Sequence, residues 1–235
     1  MRAALLLALS FAGAALAQGD AVLPKVFVTR IDPGLQPAHS LQLDGTTLVH
    51  TIHFGADIET RRITPSTVQW AAFRRALDEH MVWRWRPNYR AGAAGTSWSL
   101  KIEYPDRSMA SAGVGAVPDP AEDAALPKYP FTRYQLALQD LIGQPFVRPV
   151  SPTEAFDVED LTLVSTHSSR KEPEQWADFR DPRGNVHRVR VGERVGAFGK
   201  LERVGRSSVG LTVLLKEGEE QQRTVKLARR KPAPK

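Results

Sequence analysis

The sequence lacks cysteine entirely, although it is 235 residues long. Disulfide bridges and thiolate nucleophiles are therefore excluded in this chain. Bacterial lipoproteins carry their lipid on a cysteine that directly follows the cleaved signal, so we expect no lipid anchor. No apolar run after residue 17 approaches the length of about 20 residues that a membrane helix needs, so we expect no membrane span either.

Sequence motifs of common enzymes are missing as well. The chain contains no H-E-x-x-H zinc motif, no G-x-S-x-G nucleophile elbow, no P-loop and no dinucleotide-binding fingerprint. Its histidines show no spacing typical of metal ligands. These absences predict a protein that is not an enzyme and that binds neither a cofactor nor a metal. A hydrolase with an unrecognised site stays open as an alternative.

The first 17 residues have the order of a secretory signal peptide. Arg2 precedes an apolar run from residue 3 to residue 12, and Ala15-Leu16-Ala17 supplies the small residues of a cleavage site. A buried N-terminal helix is the alternative interpretation of this run. We expect cleavage after Ala17 and export to the periplasm of a Gram-negative-type envelope.

The overall composition is that of a globular protein. Hydrophobic residues make up 42% of the chain and charged residues 25%, so extensive disorder is not indicated. The formal net charge of +6 favours an acidic protein face, the cell wall or anionic lipid heads as partners. Nucleic acid is not expected, because the predicted compartment is the periplasm. Part of the positive charge lies in a proline-broken basic tail, residues 229–235.

Residues 24–144 are predicted to form an α+β domain, an antiparallel sheet with two helices. Alternation with a period of two predicts strands over 26–31, on both sides of the Asp44-Gly45 turn, over 82–86 and over 96–104. In the strand after that turn, His50 and His53 fall on opposite faces, and we expect each to be half-exposed.

Two amphipathic helices complete this predicted domain. The first follows Thr64 as its N-cap and Pro65 as its first residue. Its apolar stripe comprises Trp70, Phe73, Leu77 and Met81. The second runs from Tyr129 to Gly143, where glycine ends the helix.

Four of the five tryptophans lie in this region, at positions 70, 83, 85 and 98. Core packing explains such a concentration, because large aromatic side chains contribute most to the core of a small domain. The alternative is a periplasmic glycan-binding or cell-wall-binding protein, in which the tryptophans stack on sugar rings.

A proline-rich linker, residues 145–156, separates this region from a second one. Residues 157–228 contain six short alternating segments divided by turn residues, which predicts a small all-β sandwich or barrel. Asp181-Pro182-Arg183-Gly184-Asn185 is a hairpin turn, because proline fixes φ and glycine supplies the left-handed position.

Three segments of the second region resemble the β-domain of PilP, a type IV pilus assembly protein whose wider group includes the homology region of the type II secretion protein GspC. They are FDVEDLTLVST, WADFRDPRGNVHRVRVGERVG and GKLERVGRSSVGLTVLL. The resemblance implies a small β-sandwich that packs against the N-terminal domains of a secretin and links inner-membrane pilus components to the outer-membrane channel. Family members carry a lipidated cysteine after the signal, where this chain has Gln18.

The resemblance implies a docking module without chemistry, with a secretin or an inner-membrane pilus-assembly protein as its partner. The exposed edge of HRVRVGERVG can bind a partner's strand through backbone hydrogen bonds. The candidate partner-binding residues are Asp181, Gly184, His187, Arg188, Arg190, Gly192 and Arg194. Most of the glycines are expected to shape the fold, whereas the arginines are the candidates for direct contact.

Overall fold

The computed structural model of the protein describes residues 23–34, 37–91, 95–168, 174–214 and 220–226. The signal peptide predicted over 1–17 and the basic tail predicted over 229–235 lie outside the described residues. Within them the chain forms two α-helices and several sheets, with a strand-rich region at its C-terminal end. The predicted fold class is confirmed at this level.

The first part of the chain builds one seven-stranded sheet. Its strands are β1 (Val26–Asp32), β2 (Ala38–Asp44), β3 (Thr47–Phe54), β4 (Asp57–Ile63), β5 (Asn88–Arg90), β6 (Ser97–Glu103) and β7 (Ser108–Val114). Their order is β4-β3-β2-β1-β6-β7-β5, and every pair is antiparallel except β5 with β7. Two helices, α1 (Thr67–Glu79) and α2 (Pro130–Ile142), pack against each other and cover one face of this sheet.

A hydrophobic core lies between the sheet and the two helices. Alternation along β1 turns Phe27 and Ile31 into this core. The Phe27 ring meets Trp70 and Phe73 of α1 edge-on, with centroids 6.1 and 5.5 Å apart. Tyr134 of α2 joins the same cluster. Because each large apolar side chain contributes about 1.5–3 kcal/mol when it is buried, these rings hold the helices on the sheet.

The helix ends follow capping chemistry. Ser66 is the N-cap of α1, since its side chain accepts a hydrogen bond from the Gln69 backbone and the Gln69 side chain accepts one from the Ser66 backbone. The predicted cap at Thr64 is therefore wrong by two residues. Met81 lies beyond the end of α1 and is exposed, so it is not part of the buried stripe. Helix α2 ends at Gly143 in the left-handed conformation, as predicted.

The strand predicted over residues 82–86 is wrong. Met81 adopts a left-handed conformation, and Val82–Arg84 then forms a 3₁₀ turn in which the Trp85 N–H donates to the Val82 carbonyl at 3.1 Å. The Trp85 ring is buried against Trp98, with centroids 5.7 Å apart. Trp83 and Trp85, the two tryptophans of the alternating pattern, thus contact the core from a turn and not from a strand.

The expectation that His50 is half-exposed is also wrong. His50 is 1% exposed, because Phe146, in the segment after α2, packs over its ring at a centroid distance of 5.3 Å. His53 is half-buried on the opposite face of β3, as predicted.

The second part of the chain is made of strands. They are β8 (Thr162–His167), β9 (Trp176–Arg180), β10 (Val186–Arg190), β11 (Arg194–Val195), β12 (Gly199–Val204), β13 (Ser208–Leu214) and β14 (Glu220–Lys226). One antiparallel sheet has the order β10-β9-β8 and the other has the order β11-β12-β13-β14. A second hydrophobic core receives side chains from both sheets, such as Phe179, Val189, Leu201 and Leu211.

Residues 145–156 connect the two cores and are themselves packed. Phe146 belongs to the first core, and Pro152–Ala155 forms a 3₁₀ turn. The Arg133 guanidinium of α2 donates to the Ala155 carbonyl at 2.8 Å. Among the described residues, no helix has the length and apolar character that crossing a membrane requires.

Candidate partner-binding site

Asp181 organises the turn between β9 and β10. Its carboxylate is buried and accepts hydrogen bonds from the backbone N–H groups of Arg183 and Asn185, both at 2.9 Å. It also lies 3.1 Å from Asn185 Nδ2 and 3.0 Å from His187 Nε2. Gly184 occupies the left-handed position of this turn, with φ 92°. The side chains of Asp181 and His187 are therefore engaged within the turn.

The same hydrogen bonds determine the charge state of Asp181. Burial raises the pKa of this carboxyl, but the hydrogen bonds from His187, Asn185 and Arg183 outweigh it and hold the pKa below its usual value. A charged carboxylate thus fixes the hairpin loop at neutral pH.

Strand β10 is the edge of its sheet, since β9 is its only neighbour among the described residues. The Val191 N–H donates to the Gln175 carbonyl on the β9 side at 3.0 Å, whereas the Arg190 N–H donates to Glu193 Oε2 at 2.8 Å. Backbone direction alternates along a strand, so the backbone groups of Val186 and Arg188 point away from β9. This edge can therefore bind an additional strand.

Exposed arginines follow this edge. The Arg188 side chain is 56% exposed, pairs with Asp178 at 3.0 Å and lies 4.7 Å above the Trp176 ring. Arg190 is equally exposed and lies 3.6 Å from Glu193. The Arg190–Glu193 pair is exposed on both sides and contributes about 0–1 kcal/mol, so the Arg190 guanidinium can exchange its partner for an external carboxylate.

Gly192 and Arg194 lie where the chain passes to the other sheet. Gly192 has φ 90°, and its N–H donates to the Leu201 carbonyl at 2.7 Å. Arg194 is part of β11, and its guanidinium lies 3.8 Å from the buried carboxylate of Glu154. The predicted residues thus divide into two groups. Those that shape turns are Asp181, Gly184, His187 and Gly192, and those with exposed side chains are Arg188, Arg190 and Arg194.

Sequence reasoning missed Trp176, the aromatic residue of this surface. Its ring stacks on the His167 imidazole at a centroid distance of 3.7 Å and an angle of 10°, and it is partly exposed beside Arg188. The signal was available, because Trp176, Asp178 and Arg180 alternate along β9 on its outer face. Tryptophan and arginine are the residues most enriched at the energetic centre of protein interfaces.

The other tryptophans do not form a sugar-binding platform in the described part of the chain. Trp70, Trp85 and Trp98 are buried in the first core. Trp83 is partly buried, and the guanidinium of Arg74 covers its ring at 5.0 Å. Stacking on a glycan needs an open aromatic face, so the glycan-binding hypothesis loses the residues on which it was based.

Ionisable residues also meet between the helices and the β9–β10 turn. A cavity of about 200 Å³ there is lined in part by His80, Arg133, Asp181 and His187. Burial, with the nearby Arg133 and Arg183, lowers the pKa of His80 to about 4, so this imidazole is neutral at pH 7. Within the described ranges, no group of three or more His, Asp or Glu side chains could hold a metal ion.

The segment that contains β9 and β10 matches a known protein family. Residues 127–228 match the family model described as "Pilus assembly protein, PilP". The PilP-type resemblance of the C-terminal region is thereby confirmed. No curated protein matches the chain.

Solved structures of PilP are also similar to part of this chain. The solution structure of PilP from Pseudomonas aeruginosa is 27% identical, with 37% of this chain and 81% of that chain covered and a TM-score of 0.31. A domain of the type IV pilus biogenesis lipoprotein PilP from the same organism is 27% identical, with 34% and 100% covered and a TM-score of 0.28.

Proposed function

We propose that this chain is a non-enzymatic periplasmic protein of type IV pilus assembly. In this role its strand-rich C-terminal region docks a secretin or an inner-membrane pilus-assembly protein. The observation that carries the proposal is the match of residues 127–228 to the PilP family model. The proposed units are the N-terminal domain 24–144, the connection 145–156 and the docking domain 157–228.

The proposed docking edge is β10. The backbone groups of Val186 and Arg188 point outward there, so an incoming strand can form main-chain hydrogen bonds. Arg188 and Arg190 flank these groups with exposed positive charge, and Trp176 lies beside them. This combination favours a partner strand that carries carboxylates, because complementary charge accelerates encounter and fixes register.

The family match begins before the strand-rich region. It includes α2, whose buried residues Tyr134, Leu138 and Leu141 belong to the first core. Lys128 and Tyr129, at the start of α2, both bond to Asp157 at the entry to the second core. We infer that α2 carries the docking domain on the N-terminal sheet, which would give the docking edge a defined orientation.

A binding experiment with the full chain tests this function. The periplasmic domains of the secretin and of the inner-membrane pilus proteins from the same organism are titrated against it by calorimetry. We expect one of them to bind, and the double variant Arg188→Glu/Arg190→Glu to weaken its affinity by at least about tenfold, about 1.4 kcal/mol. The matched control is Arg30→Glu/Arg84→Glu. It makes the same change of charge away from β10, in β1 of the seven-stranded sheet and in the 3₁₀ turn after α1.

Two outcomes contradict the proposal. The first is that none of these periplasmic domains binds the full chain. The second is that one of them binds, yet both double variants reduce its affinity equally. The loss would then come from the net charge of the chain and not from arginines at β10.

A further inference from the structure

Strand β4 is an edge strand that is exposed on both faces. It has a neighbour on the β3 side only, among the described residues, and each of its seven residues except Ile63 is exposed. Ile58 is 64% exposed, and Phe54, at the end of β3, is 48% exposed. The strand contains no proline, lysine or bulge, but four of its seven residues are charged. Charged side chains restrict which strands can pair with an open edge, so the charge pattern of β4 determines its occupant.

The hairpin geometry determines which backbone groups of β4 point outward. Phe54 pairs with Asp57 across a two-residue turn in which Gly55 has φ 63°. The pair that closes a two-residue hairpin exchanges hydrogen bonds, and hydrogen-bonded pairs then alternate with non-bonded ones. Glu59 and Arg61 therefore bond to β3. The backbone N–H and C=O groups of the alternate residues point to the open edge, and these residues are Ile58, Thr60 and Arg62.

We infer that a second copy of this chain pairs with β4 in an antiparallel arrangement, with the two-fold axis at Thr60. In this register the outward groups of Thr60 bond to those of Thr60 in the second copy, and Ile58 bonds to Arg62. Glu59 then lies opposite Arg61 of the second copy, and the two seven-stranded sheets become one continuous sheet.

Charge complementarity selects this occupant and this register. Glu59 and Arg61 lie on the same face of β4, with the Arg61 guanidinium 2.7 Å from Glu59 Oε1. An antiparallel copy centred on Thr60 places each carboxylate opposite a guanidinium, at directly facing positions where opposite charges stabilise a sheet. The aliphatic stem of Arg62 covers Ile58, which removes exposed apolar surface. Self-complementarity of this kind is what a two-fold interface requires.

The proposed docking edge, β10, lacks this property. A second copy centred on Arg188 of β10 would place Arg188 against Arg188, and Arg190 against Val186. Like charges at facing positions destabilise the pair. The two edges are thus suited to different occupants, β4 to a copy of the same chain and β10 to an acidic strand.

Sedimentation velocity of the full chain over a concentration series tests the dimer. We expect a monomer–dimer equilibrium, because one added strand pair buries less area than the about 1,200 Å² of a standard stable interface. Thr60→Pro removes an outward N–H and no hydrogen bond to β3, so it should abolish the dimer and keep the fold. Its far-ultraviolet circular dichroism and melting temperature serve as the folding check.

A charge-reversal series tests the register. Glu59→Arg alone and Arg61→Glu alone each place like charges opposite one another and should raise the dissociation constant by at least about tenfold, about 1.4 kcal/mol. The double variant Glu59→Arg/Arg61→Glu restores opposite charges and should recover dimerisation. Hydrogen exchange of the backbone amides adds a measurement at single residues. The amides of Ile58, Thr60 and Arg62 should become more protected as the protein concentration rises, whereas those of Glu59 and Arg61 should be protected at every concentration.

Three results would overturn the inference. They are a chain that stays monomeric over the whole series, a dimer that persists in folded Thr60→Pro, and a double variant that dimerises no better than the single variants. If β4 instead binds a strand of another protein, the purified chain gives the first of these results. None of them affects the binding test at β10.

Discussion

His39 and His50 share a hydrogen bond in the interior of the N-terminal sheet, with Nδ1 of the first 3.1 Å from Nε2 of the second. Both imidazoles are buried, and the Phe146 ring packs on both. Nδ1 of His50 is buried without a hydrogen-bond partner in the described residues. A proton added to this pair would therefore place a charge where no carboxylate meets it directly. Glu59 is the acidic group that acts on His50, and Arg61 opposes it.

The first prediction concerns stability in acid. Burial, followed by the charges of His39 and Arg61, lowers the pKa of His50 to about 4 from an ordinary 6.5. The unfolded chain therefore binds a proton at His50 more readily than the folded chain does. The free energy of unfolding is not reduced by this residue above about pH 6.5, and it falls as the pH drops towards about 4. We expect a loss of about 3 kcal/mol from this residue, measured by urea unfolding across that range.

A pair of variants isolates this contribution. His50→Gln keeps a hydrogen-bonding side chain but cannot titrate, so its stability should depend less steeply on pH. His80 has a similarly lowered pKa and should retain its own share of the slope. His53→Gln, on the opposite face of β3, is the control, because it leaves the His39–His50 pair in place. Equal profiles for His50→Gln and the unmodified chain would show that the pair does not control acid stability.

The second prediction concerns the β9–β10 turn. Asp181→Ala removes the acceptor of several hydrogen bonds and leaves the N–H groups of Arg183 and Asn185 without a partner. Hydrogen bonds to charged groups contribute about 1.5–3 kcal/mol each, and the losses overlap, so we expect unfolding to become easier by about 3 kcal/mol. The control is Asp44→Ala, whose exposed pair with Arg62 should change stability by less than about 1 kcal/mol. Chemical denaturation measures both, and similar losses would contradict this role for Asp181.

Period-two and helical patterns predicted elements that bury alternate or periodic side chains. Strand β6 buries Trp98, Leu100 and Ile102 in register, and α2 buries Tyr134 and Leu138 at helical spacing. Each of these elements contacts the core along one face. Its apolar residues therefore recur with the period of a strand or of a helix, and the sequence shows that period.

Elements without such a buried face could not be predicted from the sequence. Strand β4 is exposed on both sides and therefore has no alternation to recognise. Trp83 and Trp85 alternate with arginines as a strand would, yet the left-handed Met81 turns that segment into a 3₁₀ turn. At the proposed docking edge, the sequence predicted the arginines of β10 but not Trp176. The alternation along β9 indicated its outward direction, whereas its position beside Arg188 is set by the pairing of β9 with β10.

The third prediction concerns a buried carboxylate in the connection between the two cores. The Glu154 side chain is almost completely buried, and Arg148 bonds to both of its oxygens at 3.1 and 2.7 Å. Arg148→Ala would leave this buried charge with the Ser151 N–H at 2.9 Å and, as its nearest cation, Arg194 at 3.8 Å, so we expect a loss of about 3–5 kcal/mol. Adding Glu154→Gln to that variant removes the buried charge and should restore part of the stability. A double variant as unstable as Arg148→Ala would show that packing, and not the charge, determines the loss.

The last prediction compares two glycines of the motif that resembles PilP. Both have positive φ, 92° at Gly184 and 67° at Gly196, so alanine strains the backbone at either position. A Cβ at Gly184 would meet nothing within 4 Å, whereas at Gly196 it would lie 2.6 Å from Val158 Cγ2 and 2.9 Å from the Val158 backbone N. Gly184→Ala should therefore lose about 1 kcal/mol from strain alone, and Gly196→Ala should lose a further 1–3 kcal/mol, about the usual penalty of overpacking. Equal losses in urea unfolding would mean that the chain around Val158 moves aside without penalty, so that Gly196 serves conformation and not close packing.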